Sequence, residues 1–326
     1  MKAIVQDRYG STDVLELREI EPPGVEDDEV LVRVHAAGVD PGVWHVMTGL
    51  PYLIRIAGYG FRAPKSPVRG NDLAGRVEAV GKDVSQFQVG DEVFGTSDGT
   101  FAEYVSAKAT HLAPKPANLS FEQAAAVPTS ALTALQGLRD HAEAQPGQRI
   151  LIIGASGGIG TFSVQLAKTF GAEVTGVCST SKVDMVRSLG ADHVIDYVSD
   201  DFTQRSQRYD VILDMAGNRS LSTLRRALMP EGTLVIIGGE EGGRWLGGTD
   251  RQIRALLLSP FVRQRLRTFV AKESAEDLLV LKGLIESGKV TPVVDKTFAL
   301  REAAEAIRYL DEGHARGKLV LSVQRD

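Results

Sequence analysis

Apolar positions along the chain follow two patterns. Over residues 1 to about 120 they come in short alternating runs. "DEVLVRVHAAGV" (28–39) alternates as a half-buried strand does. "GRVEAVG" (75–81), "GDEVFGT" (90–96) and "FAEYVSAK" (101–108) follow it, with Gly and Pro between them. This spacing predicts an antiparallel, barrel-like unit. At Ser120 the pattern changes. "SFEQ" reads as a capping box, Ser120 with Gln123 three residues on. It opens a helical, alanine-rich stretch that Pro128 should divide into two helices.

From Arg149 onward, strand and helix patterns alternate. The strand candidates are "RILIIG", "EVTGV" (173–177), "HVIDY" (193–197), "YDVILDM" (209–215), "TLVIIGG" (233–239) and "RTFVA" (267–271). The first five are apolar almost throughout, as parallel strands covered on both faces are. "TFSVQLAKTFG" is a helix stopped at Gly171. Six such strands with helical crossovers predict an α/β, doubly wound, six-stranded parallel sheet. Beyond Ala271, two helices ("SAEDLLVLKGLIESG" and "REAAEAIRYLDEG") and a last strand, "GKLVLSV", do not extend the alternation. They are read as returning to the first domain. The expected domains are therefore 1–122 completed by 272–326, and 123–271.

Composition narrows the class. At 326 residues, 43% of them hydrophobic, the chain can bury a core of about two domains. A net charge of -5 without a basic block argues against nucleic acid as the main partner. The single cysteine, Cys178, excludes an internal disulfide and a multi-cysteine metal site, and fits a reducing compartment. "MKAIVQ" has neither the n-region nor the h-region of a signal peptide, and no apolar run reaches membrane-spanning length. A soluble cytoplasmic protein is the expectation.

"GASGGIG" carries the first chemistry. Gly154, Gly157 and Gly160 give a G-x-x-G-x-x-G turn that also contains Ser156, Gly158 and Ile159. It follows an apolar strand and opens a helix. That arrangement lets backbone and helix N–H groups approach a pyrophosphate, so a dinucleotide is the expected ligand. A tight turn without a ligand is the bland alternative. At the end of the next strand, NAD-binding proteins carry Asp or Glu for the ribose hydroxyls. Here the chain reads Ser179, Thr180, Ser181, Lys182. Hydroxyls and an ammonium suit a 2′-phosphate, which points to NADP(H). Ser181 or Thr180 can equally cap the following helix.

These stretches occur together with "AAGVDPGVWHVMTG" (36–49), "GNDLAGRVEAVG" (70–81), "LGADHVIDY" (189–197) and "GKLVL" (317–321). In that order, from end to end, the chain resembles the medium-chain dehydrogenase/reductase superfamily, on its zinc-independent NADPH:quinone oxidoreductase branch. The resemblance implies a GroES-like substrate domain of β-barrel type, a Rossmann domain inserted into it, an active site in the cleft, and a homodimer. Zinc alcohol dehydrogenases of that superfamily have Cys where this chain has Asp40, and His-Glu where it has Asn71-Asp72. They also carry a four-cysteine lobe that is missing here. The resemblance therefore implies no metal and no Lewis acid on the substrate oxygen. It implies NADPH reduction of an electron-poor acceptor, a quinone or an α,β-unsaturated carbonyl.

Further residues carry over singly. Tyr197 matches a tyrosine near the adenosine ribose, or is a wet strand end. Thr129 matches a position beside the nicotinamide, or caps the helix after Pro128. Gly238 and Gly239 close the fifth strand, where doubly wound sheets bind ligands. Lys318 in "GK" matches a residue near the cofactor, or is a solvated lysine. Asp40 is a candidate acid or water holder. His45 is a candidate proton donor to the reduced acceptor, or a satisfied histidine. Water as the proton source stays open. Trp44 and Tyr52 are pocket candidates. The apolar 48–67 stretch reads either as a lid over an apolar acceptor or as a short packed helix. Two other functions stay open. An enoyl-thioester reductase would use Arg55, Arg62 and Lys65 around a pantetheine arm. A sensor would bind NADPH with little turnover.

Overall fold

The computed structural model describes residues 1–204, 206–239 and 243–323. The chain begins with β1 (Lys2–Val5), β2 (Glu16–Glu19), β3 (Glu29–Val39), α1 (Pro41–Thr48), β4 (Asp72–Val80), β5 (Glu92–Thr96), β6 (Tyr104–Lys108) and β7 (Leu112–Pro114). Two helices follow, α2 (Phe121–Ala125) and α3 (Pro128–Gln136). Ser120 accepts from the Gln123 N–H, and the Gln123 side chain accepts from the Ser120 N–H, so the capping box forms. Pro128 separates the two helices, because its ring and missing N–H suit a first turn and not a helix interior.

Next come β8 (Arg149–Ile153), α4 (Gly158–Thr169), β9 (Glu173–Cys178), α5 (Val183–Ser188), β10 (His193–Asp196), β11 (Tyr209–Asp214), α6 (Leu221–Ala227), β12 (Leu228–Ile236), α7 (Thr249–Leu258) and β13 (Arg265–Thr268). The chain closes with α8 (Ala275–Glu286), β14 (Val294–Ala299), α9 (Ala303–Asp311) and β15 (Lys318–Ser322). The sequence pattern had no place for β14, whose alternation is weak.

The chain forms two compact units, 1–132 with 273–326, and 133–272. The first unit runs through Leu132 rather than ending at 122, because α2 packs on β3 and β4. Its main sheet has seven strands in the order β14-β15-β3-β4-β5-β7, with β6 also paired to β3. β15 and β4 flank β3 and run antiparallel to it. The core of this unit includes Val32, Val34, Leu73, Phe101, Ile307 and Leu321. The second unit is a six-stranded parallel sheet in the order β10-β9-β8-β11-β12-β13. Leu151, Ile212, Leu234 and Ile236 are fully buried in it, as strands covered on both faces require.

Candidate active site

In the second unit the strand order reverses between β8 and β11, and the carboxyl ends at such a reversal are where doubly wound sheets bind their ligands. Most of the candidate cofactor residues stand along that edge. Gly154 to Gly160 join β8 to α4, and the N–H groups of Gly154 and Ala155 donate to Val177 O at 3.2 and 3.0 Å. A Cβ on Gly160 would stand 2.1 Å from Gly154 O, so the turn closes only without one. Ser156 is buried in the turn, while Gly157, Gly158 and Ile159 are half-buried at the start of α4. A twelve-residue helix beginning there offers its first N–H groups to an anion. This geometry fits a pyrophosphate.

Ser179, Thr180, Ser181 and Lys182 follow β9, and Tyr197, 55% exposed, follows β10. The Tyr197 N–H donates to Cys178 O at 3.1 Å, which brings the two strand ends together. The sequence shows no acid after β9, but the fold brings one from β10. The Thr180 hydroxyl donates to Asp196, whose pKa is held below the usual carboxylate range by that bond first. Lys182 is close enough to lower the Cys178 thiol, although burial and then Asp196 push that thiol up to about 11. The local field therefore mixes one cation and one anion, with the hydroxyls of Ser179 and Ser181 in the same turn.

Gly238 and Gly239 follow β12, where an unexpected clamp holds them. Arg251 on α7 pairs with the fully buried Asp214 at 2.5 Å and donates to Gly238 O at 3.1 Å. Burial raises the Asp214 pKa and Arg251 opposes it. The only sequence signal for this pair is an acid ending an apolar strand.

The first unit holds the other candidate residues. β3 ends at Val39, paired with Leu319 of β15, and Gly38 is paired with Asp72 of β4. Asp40, Asp72 and Lys318 therefore stand at one end of three adjacent strands. All three are buried. The Lys318 ammonium donates to Asp40 Oδ1 in a very short contact and to Asp72 Oδ2 at 3.1 Å. Asp40 occupies the N-cap position of α1 without capping it, because its carboxylate turns to Lys318 and to the Ser130 hydroxyl, 3.3 Å away. A Cβ on Gly38 would stand 2.8 Å from Asp72 Oδ2 and 2.5 Å from Ala125 O, so glycine makes the room. Asp72 Oδ1 accepts from the Thr129 N–H at 2.9 Å and from the Thr129 hydroxyl at 2.5 Å, and Asn71 Nδ2 donates to that hydroxyl at 2.9 Å.

The charges differ in kind. Burial raises the Asp40 pKa, but Lys318 and the hydrogen bonds outweigh it and hold the carboxyl below its ordinary value. Burial first, and then the Asp40 carboxylate, push Asp72 up to about 7. Lys318 is raised: burial alone would lower it, but Asp40 and Asp72 together outweigh that. The arrangement is an ionised Asp40, a protonated Lys318 and an Asp72 that keeps its proton to neutral pH.

The cluster removes one of the two readings open for Lys318 and adds Asp72 to the candidate residues. Lys318 is not a solvated lysine, since its ammonium is committed to two carboxylates inside the first unit. Asp72, passed over as a lost metal position, is central to the cluster. Its signal was an acid opening the apolar strand "DLAG". His45 is engaged elsewhere, with Nδ1 2.8 Å from Leu50 O and its ring edge-on to Trp44. Trp44 packs against the core of the first unit. Among the described residues, no group of three or more His, Cys, Asp or Glu is arranged to hold a metal.

Within the 48–67 stretch Arg55–Tyr59 forms a short irregular helix, and Ile56, Tyr59 and Phe61 are exposed. Arg55 lies over the rings of Tyr9 and Tyr52, 4.4 and 4.7 Å from their centres. The Tyr9 hydroxyl donates to Gly60 O at 2.6 Å. The segment is thus tethered to the first unit at Tyr9 and, through Pro67 O, at the Gln6 N–H, and it exposes Ile56, Tyr59 and Phe61.

Two family models match parts of the chain, the alcohol dehydrogenase GroES-like domain over residues 26–117 and the zinc-binding dehydrogenase model over 189–321. The chain is 34% identical to a 2-methylene-furan-3-one reductase of Solanum lycopersicum, over 98% of this chain and 79% of that protein. It belongs to the medium-chain dehydrogenase/reductase superfamily, on the quinone oxidoreductase branch. This superfamily member is an oxidoreductase. It is also 35% identical to a chloroplastic NADPH-dependent alkenal/one oxidoreductase of Arabidopsis thaliana, over 98% of this chain and 79% of that one. Among solved structures, the quinone oxidoreductase from Coxiella burnetii is similar at a TM-score of 0.88 and 30% identity, covering 99% of both chains.

Proposed function

We propose that this oxidoreductase uses NADPH to reduce an electron-poor acceptor, a quinone or an α,β-unsaturated carbonyl, without zinc. The observation that carries the reading is Lys318 between Asp40 and Asp72. A dication at that place would have to displace an ammonium already held by the Asp40 and Asp72 carboxyls, and among the described residues no thiolate or imidazole is offered in exchange. An unactivated alcohol needs such a Lewis acid, and an acceptor already polarised by conjugation does not. The names of the tomato and Arabidopsis relatives support an enone-type acceptor.

The nucleotide, when bound, supplies a hydride. Gly154, Ser156, Gly157, Gly158, Ile159 and Gly160 cradle its pyrophosphate, with the α4 N-terminus facing the negative charge. Ser179, Ser181 and Lys182 serve the 2′-phosphate, and Tyr197 covers the adenosine side. Arg251 holds Gly238 against Asp214, which keeps the carboxyl edge in one arrangement. An apolar acceptor is supported by Ile56, Tyr59 and Phe61 on the tethered segment beside Tyr52.

The test is NADPH oxidation by metal-stripped protein, with 1,4-naphthoquinone and an alkenone offered separately and NADH as control donor. Turnover with NADPH well above NADH is expected. Turnover that requires added zinc sinks the reading.

A homodimer belongs to the same proposal. β13 is the last strand of its sheet, and Phe261 and Val270, near it in sequence, are 84% and 92% exposed. Sedimentation should give twice the chain mass, and a monomer at micromolar concentration overturns that part.

A further inference from the structure

We propose that Thr129 is the proton donor of the reaction, and that its proton comes from the buried pair Asp40–Asp72 poised by Lys318. The inference rests on the reductase reading above and assigns the step that reading leaves open. Hydride addition to a conjugated acceptor leaves an enolate, or a hydroquinone oxyanion, that needs one proton. The cluster holds one proton to give. Two ionised carboxylates beside one ammonium would carry a net charge of -1 in a sealed interior, and a single bound proton makes the group neutral.

The proton belongs to the two carboxyls jointly, and two hydrogen-bonded places are open to it. One is between the carboxyls, where Asp40 Oδ2 is buried and otherwise lacks a donor among the described residues. The other is on Asp72 Oδ1, against the Thr129 hydroxyl 2.5 Å away. Lys318 donates to Asp72 Oδ2, which leaves Oδ1 as the oxygen able to carry the proton outward. Asp40 has no such contact with Thr129; its hydroxyl partner is Ser130.

Hydroxyl stereochemistry then sets the direction. A threonine oxygen accepts twice and donates once. Asn71 Nδ2 fills one acceptor place. When Asp72 Oδ1–H fills the second, the Thr129 O–H must turn away from Asp72. When Asp72 is ionised, the same O–H turns back to it. The hydroxyl is therefore an outward donor only while the cluster is loaded. Thr129 itself is half-buried, whereas Asp72 and Lys318 are sealed, so the contacts run from the interior to an accessible group.

The step balances. The O–H bond of Thr129 breaks and an H–C or H–O bond forms on the reduced acceptor. The O–H bond of Asp72 breaks and restores the hydroxyl. Asp72 is left ionised and is reloaded by one proton from solvent. The two electrons come with the hydride, so no further reductant is needed. The groups that face Asp72 are Asp40 from the end of β3, Lys318 from β15, and the hydroxyl and N–H of Thr129 from α3. The first two set its charge state, and the third carries its proton.

The experiment compares wild type with Thr129→Val, Thr129→Ser and Asp72→Asn. Asparagine keeps the shape of the protonated acid, so Asp72→Asn should fold even if Thr129→Val does not. Two readouts are taken. The first is infrared difference spectroscopy of the cofactor-free protein across pH 5–9, where a protonated carboxyl should titrate near neutrality and be missing in Asp72→Asn. The second is kcat with NADPH and an alkenone against pH. Thr129→Val and Asp72→Asn should each lose about a hundredfold or more in kcat, the usual worth of a positioned acid. Thr129→Ser should stay within a few-fold of wild type, and NADPH affinity should be unchanged in Asp72→Asn. In wild type kcat should fall above neutral pH, and Asp72→Asn should lose that fall. If wild type turns over but Thr129→Val is equally fast, or if no carboxyl titrates near neutrality, the relay is overturned and the reductase reading stands. If wild type reduces no acceptor, both fall.

Discussion

A single Cβ atom decides much at the residue scale. Gly38 stands where the Asp72 carboxylate and the Ala125 carbonyl converge, at 2.8 and 2.5 Å from where its Cβ would be. Neither neighbour can yield cheaply, because one is backbone and the other is held by Lys318 and Thr129. Gly38→Ala should destabilise the protein by about 1–3 kcal/mol, the usual range for overpacking. It should also weaken activity more than stability, because Asp72 must shift. Urea unfolding and kcat of the same variant check this, and an unchanged Asp72 environment would refute it. A second lesson at this scale is that residue type alone left two readings open for Lys318, near the cofactor or solvated. The side chain is 2% exposed, which removes the solvated reading. Only its partners make that burial tolerable, since an unpaired ammonium there would cost far more than it contributes.

At the element scale, the glycine turn and α4 act together. Gly160 lies in the first turn of α4 and touches Gly154 O, the carbonyl at the end of β8. A methyl at 2.1 Å cannot be accommodated without opening the turn. Gly160→Ala should therefore abolish measurable NADPH binding while leaving the first unit folded. Fluorescence titration with NADPH checks the first outcome, and a protein that still binds with wild-type affinity would refute it. The strands at this scale were legible because their signals are local. Runs such as "RILIIG" and "YDVILDM" are apolar on both faces, and the capping box at Ser120 is a pattern four residues long. β14 was not legible. Its burial is mixed over Val294–Ala299, and it is a strand because β15 offers it an edge.

At the scale of the whole molecule, Asp72 gives stability a pH dependence whose sign follows from its shift. An unfolded aspartate loses its proton near pH 4, whereas the folded one keeps it to about 7. Between those values the native state binds the extra proton, so this residue's contribution to stability falls as pH rises through the window. Asp40 is shifted the other way, and its contribution is lost only as pH falls through its lowered pKa. Lys318 is raised, so its contribution is lost only at alkaline pH. His35, half-buried and lowered first by burial, contributes with the opposite sign. The clean observable is therefore the difference between wild type and Asp72→Asn. The variant should gain stability relative to wild type as pH rises from about 4 to 7. Denaturant melts at several pH values measure it, and parallel curves would refute it.

The sequence by itself determined the second unit and the class of its ligand, because strand, turn and helix there are contiguous and the glycines of 154–160 declare their geometry locally. It also determined what is missing, since thiolates and imidazoles absent from positions 40 and 71 can be read directly. The tertiary structure alone decided the Asp40–Asp72–Lys318 cluster. Its members are separated by up to 278 residues and meet only through the register of β15, β3 and β4. The same holds for Asp196 beside Thr180 and for Arg251 on Asp214. A pKa depends on what surrounds a group, and for these residues the surroundings are assembled by strand pairing, which no local stretch of sequence encodes.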